Sequence, residues 1–313
     1  MALLLPFLLG LVVMPWAIGA LDRARMGQRI RAEGPQSHLG KSGTPTAGGL
    51  AVIGLILLMT LLMDRRGVIL PVLGAMLLGA ALGLADDIAT VKGSAGTRGL
   101  LARQKIVIQA VIGLVLGYWF LKLHQDAQAL PLLGTWHMGW LLVPVAALAL
   151  VASSNAFNLT DGSDGLAPGV MLIVAVVLAL TARHLHHQVA LVRLMLFAAG
   201  SLAAFLAYNL PPARVFLGGV GSEGIGMLLA AAAISAGLVW YLPLVALVPL
   251  LETASVMLQV YYFKRYHKRI LRMSPLHHHF QLGGWGEWRV ALSAWGVSAA
   301  AGTVSLLLTR KLR

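Results

Sequence analysis

The sequence contains no cysteine, and only 11% of its 313 residues are charged. The absence of cysteine excludes a disulfide framework, a thiolate metal site and a thiol nucleophile, so chemistry must come from Asp, Glu, His, Lys, Arg or a bound ion. The scarcity of charge, together with 58% hydrophobic residues, excludes an ordinary soluble domain. We therefore interpret the chain as an integral membrane protein.

Long apolar runs recur along the whole chain. A membrane-spanning helix needs about 20 apolar residues, and ten segments of the sequence fit that measure. They lie near residues 1–20, 45–63, 67–85, 104–121, 138–154, 168–182, 189–208, 223–239, 240–262 and 290–309. No basic residue precedes the first run, so we expect it to be a retained helix and not a cleaved signal. These runs predict an all-α membrane protein with a single polytopic domain over residues 1–313.

Acidic residues are also scarce, with 11 Asp and Glu against 24 Lys and Arg. Most of the basic residues fall in alternate loops between the predicted helices, and such loops are usually cytoplasmic. This pattern predicts that both termini lie outside. The net charge of +13 has two possible explanations. One is this orientation combined with attraction to anionic lipid, and the other is an anionic substrate.

Four of the 11 acidic residues form two clusters at predicted cytoplasmic helix ends. The first is the pair Asp86 and Asp87 in GLADDIATVKG, and the second is NAFNLTDGSDGL at residues 155–166. Amides and carboxylates in the second cluster step by three and share a helix face. Adjacent carboxylates persist where a cation or a transferred proton offsets their repulsion. We expect the clusters to converge and to bind Mg²⁺ with a phosphorylated substrate, although a solvated helix cap is the simpler alternative.

Other polar stretches are weaker signals. Backbone amides of the glycine-rich turns at residues 40–49, 161–166 and 216–226 could cradle phosphates. Three successive histidines in SPLHHHFQLGGWGEWRV cannot all reach one ion, so a zinc site is disfavoured against a solvated stretch or hydrogen bonding to an anionic or peptidic ligand. Phe216, Trp285 and Trp288 are either interfacial aromatics or ligand-stacking residues.

These motifs occur together in one order. SGTPTAGG, ADD, NAFNLTDGSDGLA, VFLGGVGS and PLHHHFQLGGWGEWRV resemble the phospho-MurNAc-pentapeptide transferases, within the polyprenyl-phosphate N-acetylhexosamine-phosphate transferase superfamily. The likeness runs from about Gly27 to the C-terminus. It implies ten helices in the bacterial inner membrane and a cytoplasmic active-site cleft. It also implies Mg²⁺-dependent transfer of phospho-MurNAc-pentapeptide from UDP-MurNAc-pentapeptide to undecaprenyl phosphate, giving lipid I and UMP. Membrane lipid is a further expected partner, a homodimer is left open, and no nucleic acid is expected.

The resemblance also implies roles for individual residues. The aspartate pair would deprotonate the lipid phosphate and support the metal, and the second cluster would face the nucleotide and the metal. The implied catalytic residues are Asp86, Asp87 and Asp161. The implied substrate-binding residues are Lys41, Thr44, Lys105, Asn155, Asn158, Asp164, Asn209, Phe216, His277, His278 and His279, with Phe216 stacking on the uracil. The implied metal ligands are Asp87 and Asp161, to which we add Glu223.

Glu223 enters because the sequence departs from the family pattern. The family reads FLGDVGS with a metal-binding aspartate where this chain has Gly219, and it has a lysine and an acid where this chain has Thr90 and Gln281. Glu223 follows Gly219 by four residues, so the two share a face if the helix has begun by then. Glu223 is expected either to replace the missing ligand or to be a first-turn acid stabilised by the helix dipole.

Three further functional classes remain open from the sequence. One is a relative that binds lipid or nucleotide without catalysis, for which Gly219 would be the signature. Another is a different polyprenyl-phosphate sugar-phosphate transferase. The third is a transporter, which is disfavoured because we find no internal repeat and because the acidic residues collect at one membrane face instead of the midplane.

Overall fold

The computed structural model describes residues 1–27, 41, 43–63, 69–92, 99–185 and 189–310. Within these ranges the chain is mainly helical, with one short antiparallel hairpin of β1 (Ala127–Leu130) and β2 (Gly134–His137). The helices are α1 (Leu4–Arg23), α2 (Gly49–Met63), α3 (Leu70–Lys92), α4 (Ala102–Lys122), α5 (Leu142–Thr160), α6 (Leu166–His184), α7 (Val189–Asn209), α8 (Gly218–Ser235), α9 (Leu242–Val245), α10 (Leu247–Tyr266), α11 (Leu276–Gln281) and α12 (Glu287–Thr309). Short 3₁₀ turns at Gly139–Leu141 and Val239–Tyr241 lead into α5 and α9.

The helix lengths confirm an all-α membrane protein. Eight helices of the described ranges are long and apolar enough to cross a membrane, and a ninth span results if the bent pair α9 and α10 is counted as one. Helix α2 is apolar but has only 15 residues. The count of ten spans, the single domain and the outside location of both termini stay predictions.

Two helices extend beyond the limits that the apolar runs suggested. Helix α3 continues to Lys92, so Asp86 and Asp87 lie within it and not at its end, where the sequence had suggested them. Helix α8 begins at Gly218, five residues before the predicted segment. Apolar length marks the part of a helix that sits in lipid, whereas the helical hydrogen bonding runs on into polar sequence.

The predicted ninth segment, residues 240–262, is not one continuous helix. It is bent by 79° between α9 and α10, where Ala246 has non-helical dihedrals of φ −100° and ψ 38°. Pro249 contributes to this break, because it lacks the N–H that would bond to Val245 if the helix ran straight through. The bend leaves an apolar groove of about 230 Å³ between α5 and the α9–α10 pair.

Helix α8 is the centre of the bundle. Every residue from Val220 to Ile234 is buried, and α2, α3, α5 and α6 all pack against it. A helix that is apolar on all sides belongs in such a core. The closest packing is with α3, where a Cβ added at Gly83 would lie 2.1 Å from the Gly219 carbonyl oxygen, and one at Gly79 would lie 2.9 Å from the Glu223 carbonyl oxygen.

We predict that Gly83→Ala destabilises the protein by about 1–3 kcal/mol, because the new methyl group meets the backbone of α8 and forces the two helices apart. Gly74→Ala is the matched control on the same helix, since its Cβ would meet nothing closer than 3.8 Å. The control should be neutral or should gain up to about 1 kcal/mol from helix propensity. Thermal unfolding in detergent measures both, and equal midpoints for the two variants would contradict the close crossing.

Candidate active site

Both acidic clusters lie at the same end of the helical bundle. Asp86 and Asp87 come from the last two turns of α3, and Asp161 ends α5. Asp87 and Asp161 meet the N-terminus of α8, which the chain reaches after the cis bond between Pro211 and Pro212. The expected convergence of the two clusters is therefore present in the structure.

Asp87 caps helix α8 from the neighbouring helix. Its Oδ1 accepts a hydrogen bond from the Gly219 amide (2.9 Å) and its Oδ2 accepts one from Val220 (3.1 Å). A carboxylate at this position is stabilised by the free amides and the positive end of the helix dipole. Gly218 has φ +75°, and a Cβ there would lie 2.7 Å from Asp87 Oδ2, so the close approach requires glycine.

Asp86 points away from α8 toward the start of α4. Its Oδ1 accepts a hydrogen bond from the Leu100 amide (2.7 Å), and its Oδ2 lies 2.8 Å from Lys105 Nζ. Lys105 also contacts Glu223 Oε1 at 2.5 Å. The lysine therefore joins two carboxylates from α3 and α8, and its side chain retains 13% exposure.

Glu223 is completely buried between helices α4, α5 and α8. Besides Lys105, its Oε1 accepts a hydrogen bond from Asn158 Nδ2 (2.9 Å), and its Oε2 accepts one from Gln109 Nε2 (3.1 Å). Gln109 in turn accepts one from Asn155 Nδ2 (2.6 Å). A metal-ligand role for Glu223 stays a prediction, and in this arrangement a cation would have to displace Lys105.

Asp161 lies half-buried in the loop after α5. Burial and the negative charges of Asp87 and Asp164 together raise its pKa from 3.8 to about 7, although a hydrogen bond from the Gly218 amide opposes the shift. A carboxyl group that is buried beside other carboxylates is stabilised by a cation. Asp161 and Asp87 thus share the N-terminal end of α8 under mutual repulsion.

Lys41 connects the segment before α2 to two acids. Its ammonium lies 2.7 Å from Asp164 Oδ1 and also contacts Glu287 at the start of α12. The second oxygen of Asp164 accepts a hydrogen bond from the Ala213 amide (2.8 Å). Thr44 donates its backbone N–H to the Lys41 carbonyl oxygen (3.1 Å). The sequence interpretation missed Glu287. The acid that follows GWG at the start of the last predicted helix could have indicated it.

Asn209 makes its hydrogen bonds to the backbone. Its Oδ1 accepts one from the Gly165 amide (2.9 Å), and its Nδ2 donates one to the Val215 carbonyl oxygen (2.8 Å). The side chain therefore ties the 161–166 loop to the segment that carries Phe216, whose side chain is half-buried. A direct contact of Asn209 with uridine stays a prediction.

The three histidines have three different surroundings. His277 is buried, and its ring packs on Gly162, where a Cβ would lie 2.3 Å from Nε2. Its Nδ1 is 3.2 Å from Glu252 Oε2 but is not aligned for a hydrogen bond, and neither ring nitrogen has a hydrogen-bond partner among the described residues.

His278 and His279 link α11 to its neighbours. His278 Nδ1 lies 2.9 Å from Gln281 Oε1, and Gln281 Nε2 donates a hydrogen bond to Ser163 Oγ (3.1 Å). His279 Nδ1 accepts one from the Arg272 amide (3.1 Å). Gln281, which replaces the acid of the family pattern, thus fastens the histidine helix to the 161–166 loop.

The acidic residues fit a divalent cation that is held by two carboxylates. Within the described ranges no three His, Cys, Asp or Glu residues surround one point, so a complete protein cage is absent from them. Mg²⁺ needs no such cage, because it commonly takes one or two carboxylates together with substrate phosphates and water. Asp87 and Asp161, which repel each other at the N-terminus of α8, are the suitable pair.

The apolar groove beside α5 leads toward these acids. Its α5 wall includes Val145, Leu148, Ala152 and Phe157, and Asp161 follows one turn after Phe157. The opposite wall comes from residues 239–250 around the helix break. The end of the groove at Phe157 therefore lies about one helical turn from Asp161.

The chain is similar in sequence to known proteins along nearly its whole length. The sequence model of the family described as "Glycosyl transferase family 4" matches residues 69–237. A phospho-N-acetylmuramoyl-pentapeptide-transferase of Moorella thermoacetica is 41% identical over 98% of this chain and 97% of its own length. Similar enzymes of Latilactobacillus sakei and a Geobacillus species are 39% and 38% identical, over 96% and 95% of this chain and 96% and 93% of their own lengths.

We predict that Asn209→Asp lowers the stability by about 1–3 kcal/mol, because a carboxylate cannot donate to Val215 and leaves that buried carbonyl oxygen without its partner. The measurement is thermal unfolding in detergent without nucleotide, with Asp126→Asn in the hairpin region as an acid–amide control. An unchanged midpoint combined with weakened UMP binding would show instead that Asn209 contacts the nucleotide directly.

Proposed function

Because the chain belongs to the glycosyl transferase family 4, and within it to the phospho-N-acetylmuramoyl-pentapeptide-transferases, we propose that it transfers phospho-MurNAc-pentapeptide from UDP-MurNAc-pentapeptide to undecaprenyl phosphate. The products are lipid I and UMP. The protein is a multi-pass enzyme of the bacterial cytoplasmic membrane. The observation that carries the proposal is the convergence of Asp86, Asp87, Asp161 and Lys105 at one end of an apolar bundle, beside a groove suited to a lipid chain.

The reaction requires positioning and neutralisation of charge more than a covalent protein group. We assign Lys41 and Lys105 to the substrate phosphates, because each side chain lies between carboxylates and is still partly exposed to solvent. An oxygen of the lipid phosphate would attack the phosphorus that carries the MurNAc sugar. The bond to UMP breaks as the new P–O bond forms.

The proton of the lipid phosphate needs an acceptor, and Asp86 is the residue we propose for it. Its Oδ2 is now paired with Lys105. When Lys105 turns to the substrate phosphates, it releases Asp86 and remains in contact with Glu223. A carboxylate freed from its ammonium partner is the stronger base.

Magnesium is part of the proposal through Asp87 and Asp161, which would hold it. The ion supplies electrostatic stabilisation of the diphosphate when bound. Asp87 itself is held in place by the two α8 amides, so its geometry is fixed before any ligand arrives. Membrane lipid around the bundle is a further proposed partner, and a homodimer is a separate proposal that size-exclusion chromatography with light scattering would test.

We predict that Asp86→Asn and Asp161→Asn each lower UMP release at least about a hundredfold, as expected for loss of a general base or of a metal-holding carboxylate. Both variants should remain folded in detergent, since each keeps its size and most hydrogen bonds. UMP release from purified protein with both substrates is the measurement. Asp126→Asn, near the opposite end of the bundle, is the control. Retention of full activity by either site variant would contradict the assignment.

Gly219→Asp tests the departure from the family pattern. A Cβ at this position would lie 3.1 Å from Asp87 Oδ1 and 3.0 Å from the Gly83 carbonyl oxygen. The variant should therefore lose stability without Mg²⁺ and regain it as Mg²⁺ is added, because a third carboxylate joins the pair. Gly219→Asn is equal in size and uncharged, so it should lose stability at all Mg²⁺ concentrations.

Activity separates two versions of the proposal. If the unchanged chain releases UMP, Gly219 is tolerated and Gly219→Asp should lower the Mg²⁺ concentration needed for half-maximal rate. If only Gly219→Asp releases UMP, the chain is a binding protein without catalysis. An equal Mg²⁺ response of the Asp and Asn variants would show that position 219 does not face the metal.

A further inference from the structure

Glu223 is the buried centre of a polar chain that joins three helices. Its carboxylate is met by Lys105 and Gln109 from α4 and by Asn158 from α5. Gln109, which is also fully buried, continues the chain to Asn155. The other residues of α8 are apolar or small. Glu223 therefore determines which hydrogen bonds α8 makes with its neighbouring helices at this level of the bundle.

An ionised carboxylate only accepts hydrogen bonds, whereas a side-chain amide has one accepting and one donating end. Glu223 therefore requires Gln109 to present its NH₂ group, which donates to Glu223 Oε2 (3.1 Å) and to Ser154 Oγ (3.2 Å). The carbonyl end of Gln109 must then face Asn155. The orientation of one amide thus follows from the charge of its neighbour.

The same constraint passes on to the two asparagines. Asn155 uses its Nδ2 for Gln109 Oε1 (2.6 Å) and for the Val151 carbonyl oxygen (2.8 Å). Asn158 uses its Nδ2 for Glu223 (2.9 Å). Neither Oδ1 atom has a hydrogen-bond partner among the described residues. Neither atom is fully buried, so both can accept a hydrogen bond from a ligand. Asn155, Asn158 and Asp161 follow one another at intervals of three, so these oxygens lie on the helix face that leads to the acidic site.

We propose that Glu223 is a positioning residue, whose acceptor-only carboxylate orients Asn155 and Asn158 so that they present carbonyl oxygens to hydrogen-bond donors of the nucleotide, while it anchors Lys105. This inference rests on the proposed function for the identity of the ligand. The orientation of the amides does not depend on that function, because it follows from the buried contacts alone.

Replacement of Glu223 by Gln keeps the size of the side chain and introduces a donor. If the new NH₂ group faces Gln109, that amide must turn round and present its own NH₂ group to Asn155. Asn155 must then turn as well, which puts a donor where the nucleotide needs an acceptor. We expect the dissociation constant of UMP and the KM for the UDP substrate to rise about tenfold, by the loss of one hydrogen bond.

An exchange of the two side chains restores the pattern. In Glu223→Gln combined with Gln109→Glu, the carboxylate lies on α4 and accepts from Gln at position 223 and from Asn155. The carbonyl oxygen at position 223 still accepts from Lys105 and Asn158. The total charge is unchanged. Gln109→Glu alone would place two carboxylates together, so it should be the most impaired of the three variants.

The experiment measures UMP binding by titration calorimetry, KM and kcat for UMP release, and the thermal midpoint in detergent for the unchanged chain and all three variants. The double variant should bind UMP within about threefold of the unchanged chain, and the midpoints should be strongly non-additive. Asp126→Asn controls for loss of a carboxylate elsewhere and should bind UMP normally. A purely structural Glu223 would affect the midpoint and leave the UMP dissociation constant unaltered.

Two results would overturn the proposal, namely UMP binding by Glu223→Gln equal to that of the unchanged chain, or a double variant whose losses are the sum of the single ones. Failure of the proposed function has a different appearance. In that case the unchanged chain would not release UMP. Non-additive thermal midpoints of the variants would still support the orientation of the amides, and additive midpoints would refute it.

Discussion

The close approach of helices α3 and α8 is the constraint on which the site depends. Gly79 and Gly83 allow the two backbones to touch, and Asp87 follows Gly83 by one further turn on the same face. Its carboxylate therefore arrives at the free amides that begin α8. Any larger residue at the crossing would move the acid away from the helix that it caps, and the geometry of Asp161 would change with it.

The second constraint is that α8 is surrounded by protein along nearly its whole length. A charge on such a helix must find its partners inside the bundle, because water and lipid headgroups are out of reach. Glu223 finds Lys105 and two amides. These three partners offset the cost of burying that charge and connect helices α4, α5 and α8.

Sequence reasoning identified the membrane class, the apolar segments and the convergence of the acidic clusters, because apolar length and charge placement are local properties. It missed the extension of α3 past Asp87 and the break at Ala246, since helical hydrogen bonding and backbone dihedrals are not encoded in hydropathy. It also missed the pairing of Lys41 with Glu287, which are 246 positions apart. The backbone contacts of Asn209 could not be read from its type, because an amide serves a ligand or a chain equally well.

The contact of Lys41 with Glu287 has a consequence for the order in which the protein is made. Lys41 precedes α2, whereas Glu287 begins α12. Trp295 of α12 also donates a hydrogen bond to the Gly165 carbonyl oxygen (3.1 Å). A nascent chain that has not yet inserted α12 has neither contact. The acidic site on a growing chain therefore stays incomplete until α12 has been synthesised and has packed against the earlier helices.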